Sequence, residues 1–306
     1  MGTPEQAALQ AYGMSLDEAI RLTDAHTLTV QGWLASRSPN AEKFEGLGVR
    51  ASSTGYKVQL LNLALGCGFP EQVTETDISD EIEAVKNFFK QRNVPWYWWM
   101  NRNPLPKNIG AILEQNGLKY IAPPLPAMIA PNKQDVRLFP DYPSNIKVWR
   151  AASIHDLQMA SKIRRIAFGF PEGEALAYFE AMASDWLSDE SPARLYLAGL
   201  TESEPVSIGA VIHALGIPGI YVMATLPEYH RKGFGKSILT RLLAEAARSD
   251  GKIVALTASK AGVGLYAQFG FKQIFGFDFY SIKKTDLKFY FSQHCLKWGF
   301  GSLNSL

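Results

Sequence analysis

The sequence predicts a mixed α/β fold arranged as two domains, and three observations carry that reading. Hydrophobic runs of strand length alternate with segments of helical periodicity along the chain, as stacked layers of sheet and helix require. At 306 residues the chain exceeds the usual size of a single domain. Residues 122–145, APPLPAMIAPNKQDVRLFPDYPSN, are dense in proline and divide the alternation in two. The expected organisation is a first domain over residues 1–133, a linker over 134–145 and a second domain over 146–306 that includes a C-terminal tail.

In the first half, Ser15-Leu16-Asp17-Glu18 has the pattern of a capping box, so a helix begins there and runs to about Ser38-Pro39. A polar connection follows. Residues 56–65, YKVQLLNLAL, read as a buried strand, and 79–92 as a helix with acids at its start. In PWYWWM, residues 95–100, period-two alternation places Trp96 and Trp98 on one face and Tyr97 and Trp99 on the other, the pattern of a strand buried on both sides. Core packing is the favoured role of these rings, with an acceptor pocket between the halves as the alternative. Residues 108–117 form a helix closed by Gly117, LKYI follows as a strand, and AMIA inside the proline-rich segment reads as an edge strand.

The second half begins with a strand at 146–150 and continues with helices at 154–168 and 172–187 and strands at 194–200, 207–215 and 220–225. A helix starts near Gly233 and ends by Asp250-Gly251. Residues 252–257 form a strand, 262–269 a helix, and 271–282 two strands about Gly276. The halves echo each other: ILEQNGLKYI (112–121) aligns without gaps on LYAQFGFKQI (265–274), with identical Gln, Gly, Lys and Ile positions. The matching order of elements favours duplication over coincidence.

Composition bounds the function. Hydrophobic residues make up 47% and charged residues 20%, as in a folded globular chain, and the net charge of +2 gives no general attraction to nucleic acid or anionic lipid. Any anion site must be local. Cys67 and Cys295 lie far apart without CxxC spacing, so buried free thiols are expected rather than a zinc site or a disulfide framework, and no metal is called for. The N-terminus lacks a basic segment leading into an apolar run, and no apolar stretch is long enough for a bilayer; a cytoplasmic protein without a membrane partner is expected. The tail from Lys284, with KFYFSQHCLKWGF, suits packing on either domain or a subunit contact.

The local anion site is YHRKGFGK, residues 229–236. The strand IYVMAT ends at Pro227, which has no N–H for a ladder, and the turn opens a helix with an apolar stripe of Ile238, Leu239, Leu242, Leu243 and Ala246. Burying that stripe leaves the helix N-terminus, with its free N–H groups and positive dipole end, pointing outward. Gly233 and Gly235 let a ligand approach the backbone, and Arg231, Lys232 and Lys236 add charge, a setting suited to a diphosphate. A sharp turn with solvated cations is the competing reading. The dinucleotide fingerprint needs glycine where Ile238 stands, and a P-loop needs one where His230 stands.

These residues resemble the GNAT superfamily of acyl-CoA-dependent N-acyltransferases. The family's mark is a strand ending in V-x-P followed by [QR]-x-x-G-x-[GA] at a helix start. Here it reads Thr225-Leu226-Pro227 and His230-Arg231-Lys232-Gly233-Phe234-Gly235. A second motif, N-x-x-A-x-x-L-Y before G-F, is matched by Ser259-Lys260-Ala261-Gly262-Val263-Gly264-Leu265-Tyr266 and Gly270-Phe271, with Ser for Asn and Gly for Ala. The motifs cover about residues 220–271, and the order of elements extends the likeness over 146–282. The resemblance implies two GNAT-like domains, each a mixed, mostly antiparallel sheet flanked by helices. The first would be degenerate, because Leu113 takes the Tyr266 position and the acidic Ser79-Asp80-Glu81 stands where a diphosphate needs cations.

The resemblance further implies acetyl-CoA as cofactor. The backbone of Met223, Ala224 and Thr225 would pair with the pantetheine arm, residues Arg231, Lys232, Gly233, Phe234, Gly235, Lys236 and Ser237 would hold the diphosphate, and Ser259 would add a cofactor contact. Tyr266 would be the acid for the departing thiolate, and a strand amide near Ala224 or Thr225 would polarise the carbonyl. The expected function is direct acetyl transfer to an amine of a small molecule or peptide. An acyl-CoA-binding protein whose chemistry has lapsed is the alternative, and nucleotide hydrolysis through GFGKS a third. No base is legible; His213 is an option through water.

Overall fold

The computed structural model describes residues 3–135, 139–173 and 177–282. The expected tail contact and Cys295 lie outside them. Cys67 is a buried free thiol, and burial pushes its pKa up to about 12. No helix among the described residues is long and apolar enough to cross a membrane.

The first half contains α1 (Pro4–Tyr12), α2 (Leu16–Ser36), β1 (Glu42–Glu45), β2 (Arg50–Ser53), β3 (Asn62–Leu65), α3 (Glu75–Gln91), β4 (Tyr97–Trp99), α4 (Ile109–Gln115) and β5 (Lys119–Pro131). The second contains β6 (Lys147–Arg150), α5 (Ile154–Phe168), α6 (Ala183–Leu187), β7 (Ala193–Gly199), β8 (Pro205–Ala214), β9 (Ile217–Thr225), α7 (Phe234–Ala246), β10 (Ile253–Thr257), α8 (Val263–Gln268) and β11 (Lys272–Ser281). Mixed α/β layering with a largely antiparallel sheet is as expected; only β3–β4 and β9–β10 pair in parallel.

The two expected sheets join into one of eleven strands, in the order β1-β2-β3-β4-β11-β5-β10-β9-β8-β7-β6. Apart from the additional outer strand β6, the order is symmetrical about the β11–β5 pair, and each half's last strand inserts into the other half's sheet. β11 pairs β4 through Phe279↔Trp99, and β5 pairs β10 through Met128↔Leu256. The echoed segments 112–121 and 265–274 fall at equivalent places, α4 into β5 and α8 into β11. Gly117 and Gly270 turn the chain between helix and strand in each, at φ +83° and +79°, where a side chain would be strained. Side chains close the seam as well: Gln59 Nε2 donates to Ser281 Oγ (2.7 Å) and to the Trp96 carbonyl (2.9 Å).

Several elements differ from the sequence reading. α1 was not anticipated, although Thr3-Pro4-Glu5-Gln6 is a capping box with proline at N1: Gln6 N–H donates to Thr3 Oγ1, and Thr3 N–H donates to Gln6 Oε1. The polar connection after α2 holds β1 and β2, and residues 59–61 form a 3₁₀ turn ahead of β3. Of the helix expected over 172–187, the described residues form a 3₁₀ turn at 180–182 and α6. AMIA lies mid-sheet within β5 rather than on an edge. The prolines of β5 are accommodated because β10 pairs only residues 127–131, so that on that side no N–H is asked of Pro123, Pro124 or Pro126, and because β11 is bulged opposite them. β11 is one continuous strand and not two; its Gly276 passes Pro124, whose Cβ would lie 2.7 Å from a side-chain carbon there.

PWYWWM behaves as its alternation predicts. Trp96 and Trp98 join the core beneath α3 and α4, and Tyr97 and Trp99 join the opposite face with Phe277 and Phe279. α2 lies across that opposite face and reaches strands of both halves, β2 and β3 on one side and β8, β9 and β10 on the other. α5 and α7 cover opposite faces of the second half, with Leu195 and Ile208 under α5 and Tyr196 and Val211 under α7.

Candidate functional site

β9 and β10 pair only at Gly219↔Ala255 and Ile220↔Leu256. Beyond that point β9 follows β8, with Ala224 opposite Ile208 and Thr225 opposite Ser207, while Ala258 N–H donates to the Pro126 carbonyl on the other side. The sheet therefore splits at the carboxyl ends of two parallel strands, a place where α/β sheets characteristically open a ligand crevice. A β-bulge drives the split. The register of β8 and β9 shifts between Ile208/Ala224 and Ala210/Tyr221, and Val222 adopts φ +47°, an outlier for a β-branched residue. Gly209 sits opposite, where a Cβ would lie 2.6 Å from Met223 Sδ.

The strand end is tied to the cationic turn. Ser207 Oγ donates to the Ala224 carbonyl (3.0 Å) and lies 2.8 Å from Thr225 Oγ1, and His230 Nε2 lies 2.9 Å from the Thr225 carbonyl, to which its N–H donates. His230 thus braces the turn and leaves the backbone donors free. Arg231 (φ +60°) and Gly233 (φ +94°) carry the chain into α7, whose N-cap is Gly233 with no side-chain cap. The first intrahelical bond here runs from Ser237 N–H to the Gly233 carbonyl (3.0 Å), so the N–H groups of Phe234, Gly235 and Lys236 have no intrahelical acceptor. Arg231 and Lys232 are exposed, Lys236 is half-buried, and none of the three forms an ion pair among the described residues. Lys232 Nζ lies 5.2 Å from the Tyr229 ring centroid.

Two residues of the stretch turn away. Phe234 is buried against Tyr229 and the α7 core, and the fully buried Ser237 hydroxyl donates to the Phe234 carbonyl (2.8 Å). Of the seven residues expected to hold a diphosphate, Ser237 therefore has both its donors bonded inside the helix, and Phe234 offers only its backbone.

On the other wall, Ser259 Oγ accepts from Gly262 N–H (3.1 Å) and starts α8, which presents Tyr266. A Cβ at Gly262 would crowd Tyr266 Cε2 at 3.0 Å and Ser259 Oγ at 3.3 Å, so glycine in place of the usual alanine leaves room for both side chains where they stand. Tyr266 is 7% exposed, and burial pushes its pKa up, keeping the proton on the hydroxyl at neutral pH. Met223, Ser259 and Tyr266 line one cavity of about 130 Å³, together with Leu34 of α2, Leu63 of β3 and Trp99 of β4. Both halves therefore build the cleft. Trp99, and not Trp98, is the aromatic residue of β4 that reaches it.

His213 is not part of the cleft. It pairs with Pro218, five residues from Met223 along β9, or about 16 Å away at the usual strand rise. The equivalent helix start in the first half is closed: Thr74 and Asp77 form a capping box at α3, with Asp77 N–H donating to Thr74 Oγ1 and Thr74 N–H to Asp77 Oδ2. Sequence reasoning missed Val222, whose bulge depends on strand pairing and leaves no local mark. It also missed Arg164, which lines the cavity. Leu157, Ala160, Ser161, Arg164 and Phe168 recur at helical spacing on α5, so a cation on the apolar stripe was the available signal.

A family model described as Acetyltransferase (GNAT) domain matches residues 193–273, which hold the bulged strand β9, the turn and Tyr266. No curated protein matches the chain in sequence. Among solved structures, a GCN5-related N-acetyltransferase from Kribbella flavida superposes with a TM-score of 0.61 at 16% identity, covering 84% of this chain and 94% of that one. Another from Sphaerobacter thermophilus gives 0.58 at 15% identity, covering 79% and 83%. A tandem GNAT protein from the clavulanic acid biosynthesis pathway gives 0.53 at 11% identity, covering 89% and 96%. Identities of this size speak for a shared fold over nearly the whole chain, and the family model speaks for its second half. Residues 193–273 thus match a GNAT acetyltransferase domain, and the chain shares the fold of these acetyltransferases over most of its length.

Proposed function

We propose that the chain is a cytoplasmic enzyme that moves an acetyl group from acetyl-CoA directly to an amine. The observation that carries this reading is the convergence on one cleft of an uncapped, cation-flanked helix start, a strand edge released by a bulge, and the buried hydroxyl of Tyr266. These residues fit the cofactor. Gly233 packs against Pro143 and turns the chain into α7, Gly235 adds no side chain to the helix start, and the N–H groups of Phe234, Gly235 and Lys236 with the cations of Arg231, Lys232 and Lys236 suit a diphosphate. The β9 backbone at Met223, Ala224 and Thr225, unpaired toward β10, can hydrogen-bond an extended amide-bearing arm as an added strand would.

When bound, acetyl-CoA supplies the acyl group as an activated thioester. An amide of the bulged strand near Ala224 would polarise the acyl carbonyl, and Tyr266, its proton held on by burial, would give that proton to the departing thiolate. Ser259 sets the start of α8 and with it the position of Tyr266. Residues 1–133 serve as a scaffold that closes the cleft without binding cofactor, residues 134–145 join it to the domain over 146–306, and the acceptor is a small molecule or peptide amine rather than nucleic acid.

Titration with acetyl-CoA by calorimetry, on the native chain and on Gly235→Glu, tests this. A Cβ at Gly235 meets Leu265 only at 3.4 Å, so the variant is expected to fold while its carboxylate repels the diphosphate. Binding by the native chain that is lost in the variant supports the reading, and no binding by the native chain removes it. One observation favours the alternative of lapsed chemistry: among the described residues the cavity lining holds no carboxylate and no imidazole to act as base. Binding without turnover across a broad amine panel would choose that alternative.

A further inference from the structure

One cation of the cleft has no part in the chemistry above. Arg164 stands on the buried stripe of α5 and is 7% exposed. Its Nε and Nη1 have no hydrogen-bond partner, and no carboxylate pairs with it among the described residues. The guanidinium is faced by rings instead, with centroids at 4.5 Å (Tyr178), 5.4 Å (Phe170), 5.5 Å (Phe179) and 6.0 Å (Phe168). Burial pulls its pKa down, yet arginine keeps its charge in folded proteins. Cation–π contacts offset only part of the desolvation of such a charge, and an anion entering the site would offset the rest.

The position says which anion. Arg164 lines the same cavity as Met223 and Tyr266. It reaches that cavity from the α5 face of the sheet, opposite the face that α7 covers, so the diphosphate at the start of α7 is not its partner. Apart from Arg164, the polar lining is Gln31, Tyr178, Tyr221, Thr257, Ser259 and Tyr266, which brings no negative charge at neutral pH. A simple ammonium would meet a cation and no counter-charge. An acceptor that carries its own carboxylate meets neither difficulty, and a single cation in a small aromatic-walled cavity matches a single negative charge on a small body.

We propose that Arg164 binds a carboxylate of the acceptor, so that the substrates are amino acids or similar small zwitterions rather than simple amines. This assignment rests on reading the cleft as an acyltransferase site.

The test uses the full chain in the presence of CoA and measures binding of glycine, β-alanine, γ-aminobutyrate, methionine and phenylalanine, each against its own carboxamide, by ligand-observed NMR. At least one carboxylate is expected to bind about tenfold or more tightly than its carboxamide, as charge-assisted hydrogen bonds allow. Arg164→Gln should erase that preference while leaving carboxamide binding unchanged. Equal binding within every pair, no binding by any carboxylate, or a preference that survives Arg164→Gln would each overturn the proposal. If Arg164→Gln does not fold, Arg164→Lys is measured instead, and the native-chain pairs decide in either case. Acetyl-CoA binding and turnover are measured separately, so their failure would remove the acyltransferase reading and be seen apart from the outcome of the carboxylate pairs.

Discussion

The Tyr221 hydroxyl lies 3.0 Å from Nδ1 of His26, with the two rings stacked at 5.9 Å, and this contact joins α2 of the first half to the strand that opens the cleft. Gly219 makes it possible, since a Cβ there would lie 2.4 Å from His26 Cε1 and 2.7 Å from Tyr221 Cε2. Gly219→Ala is expected to destabilise the protein by about 1–3 kcal/mol through overpacking, measured as a lower urea midpoint. An unchanged midpoint would mean that α2 shifts freely on β9.

Burial lowers the His26 pKa from 6.5 to about 4 and raises that of Asp24 from 3.8 to about 6. Between its two values the unfolded chain holds the His26 proton more often than the folded chain does, so this contribution, about 3 kcal/mol at most, is complete above pH 6.5 and is lost as pH falls through 4. Asp24 acts in the opposite sense: its contribution is present below pH 3.8 and is lost as pH rises through 6. The native slopes therefore oppose each other between about pH 4 and 6. Asp24→Asn removes one of them, and its urea midpoint should fall more steeply than that of the native chain from roughly pH 6.5 to pH 4.5. Parallel curves would show that burial does not raise the Asp24 pKa.

Tyr266→Phe keeps the ring that packs on Phe271, at a centroid distance of 5.9 Å, and removes only the hydroxyl. The expected result is kcat lower by roughly a hundredfold or more, with the acetyl-CoA dissociation constant unchanged. Unchanged kcat would remove Tyr266 as the acid.

The two glycines of the turn should separate folding from binding. Gly233 has φ +94°, and a Cβ there would lie 2.5 Å from Pro143 Cδ, so Gly233→Ala should cost more than about 1 kcal/mol of stability in urea unfolding. Gly235 has ordinary room beside it, so Gly235→Ala should leave the midpoint near that of the native chain and weaken acetyl-CoA in calorimetry. Equal losses of stability in both would show that the turn only shapes the helix start.

Calorimetry should also return one acetyl-CoA per chain, because Thr74 and Asp77 occupy the donors at the start of α3 that Gly233 leaves open at α7. Two sites per chain would contradict a scaffold role for the first half.

The amino-acid sequence by itself determined the capped start of α2, the alternation in PWYWWM, the glycine turn and the placing of Tyr266 after Ser259. Each of these depends on residues within a few positions of one another, where capping, periodicity and backbone freedom act. Only the tertiary structure decided the exchange of β5 and β11 between the halves, the bulge at Val222 and the shared walls of the cleft. It also placed His213 away from the cavity, bonded the Ser237 hydroxyl inside α7 and brought Arg164 to the cavity wall. Those features rest on partners as distant as Gln59 and Ser281, and on which strand pairs with which. A short stretch of chain carries no record of such partners, because the energy that selects them comes from burying whole faces together.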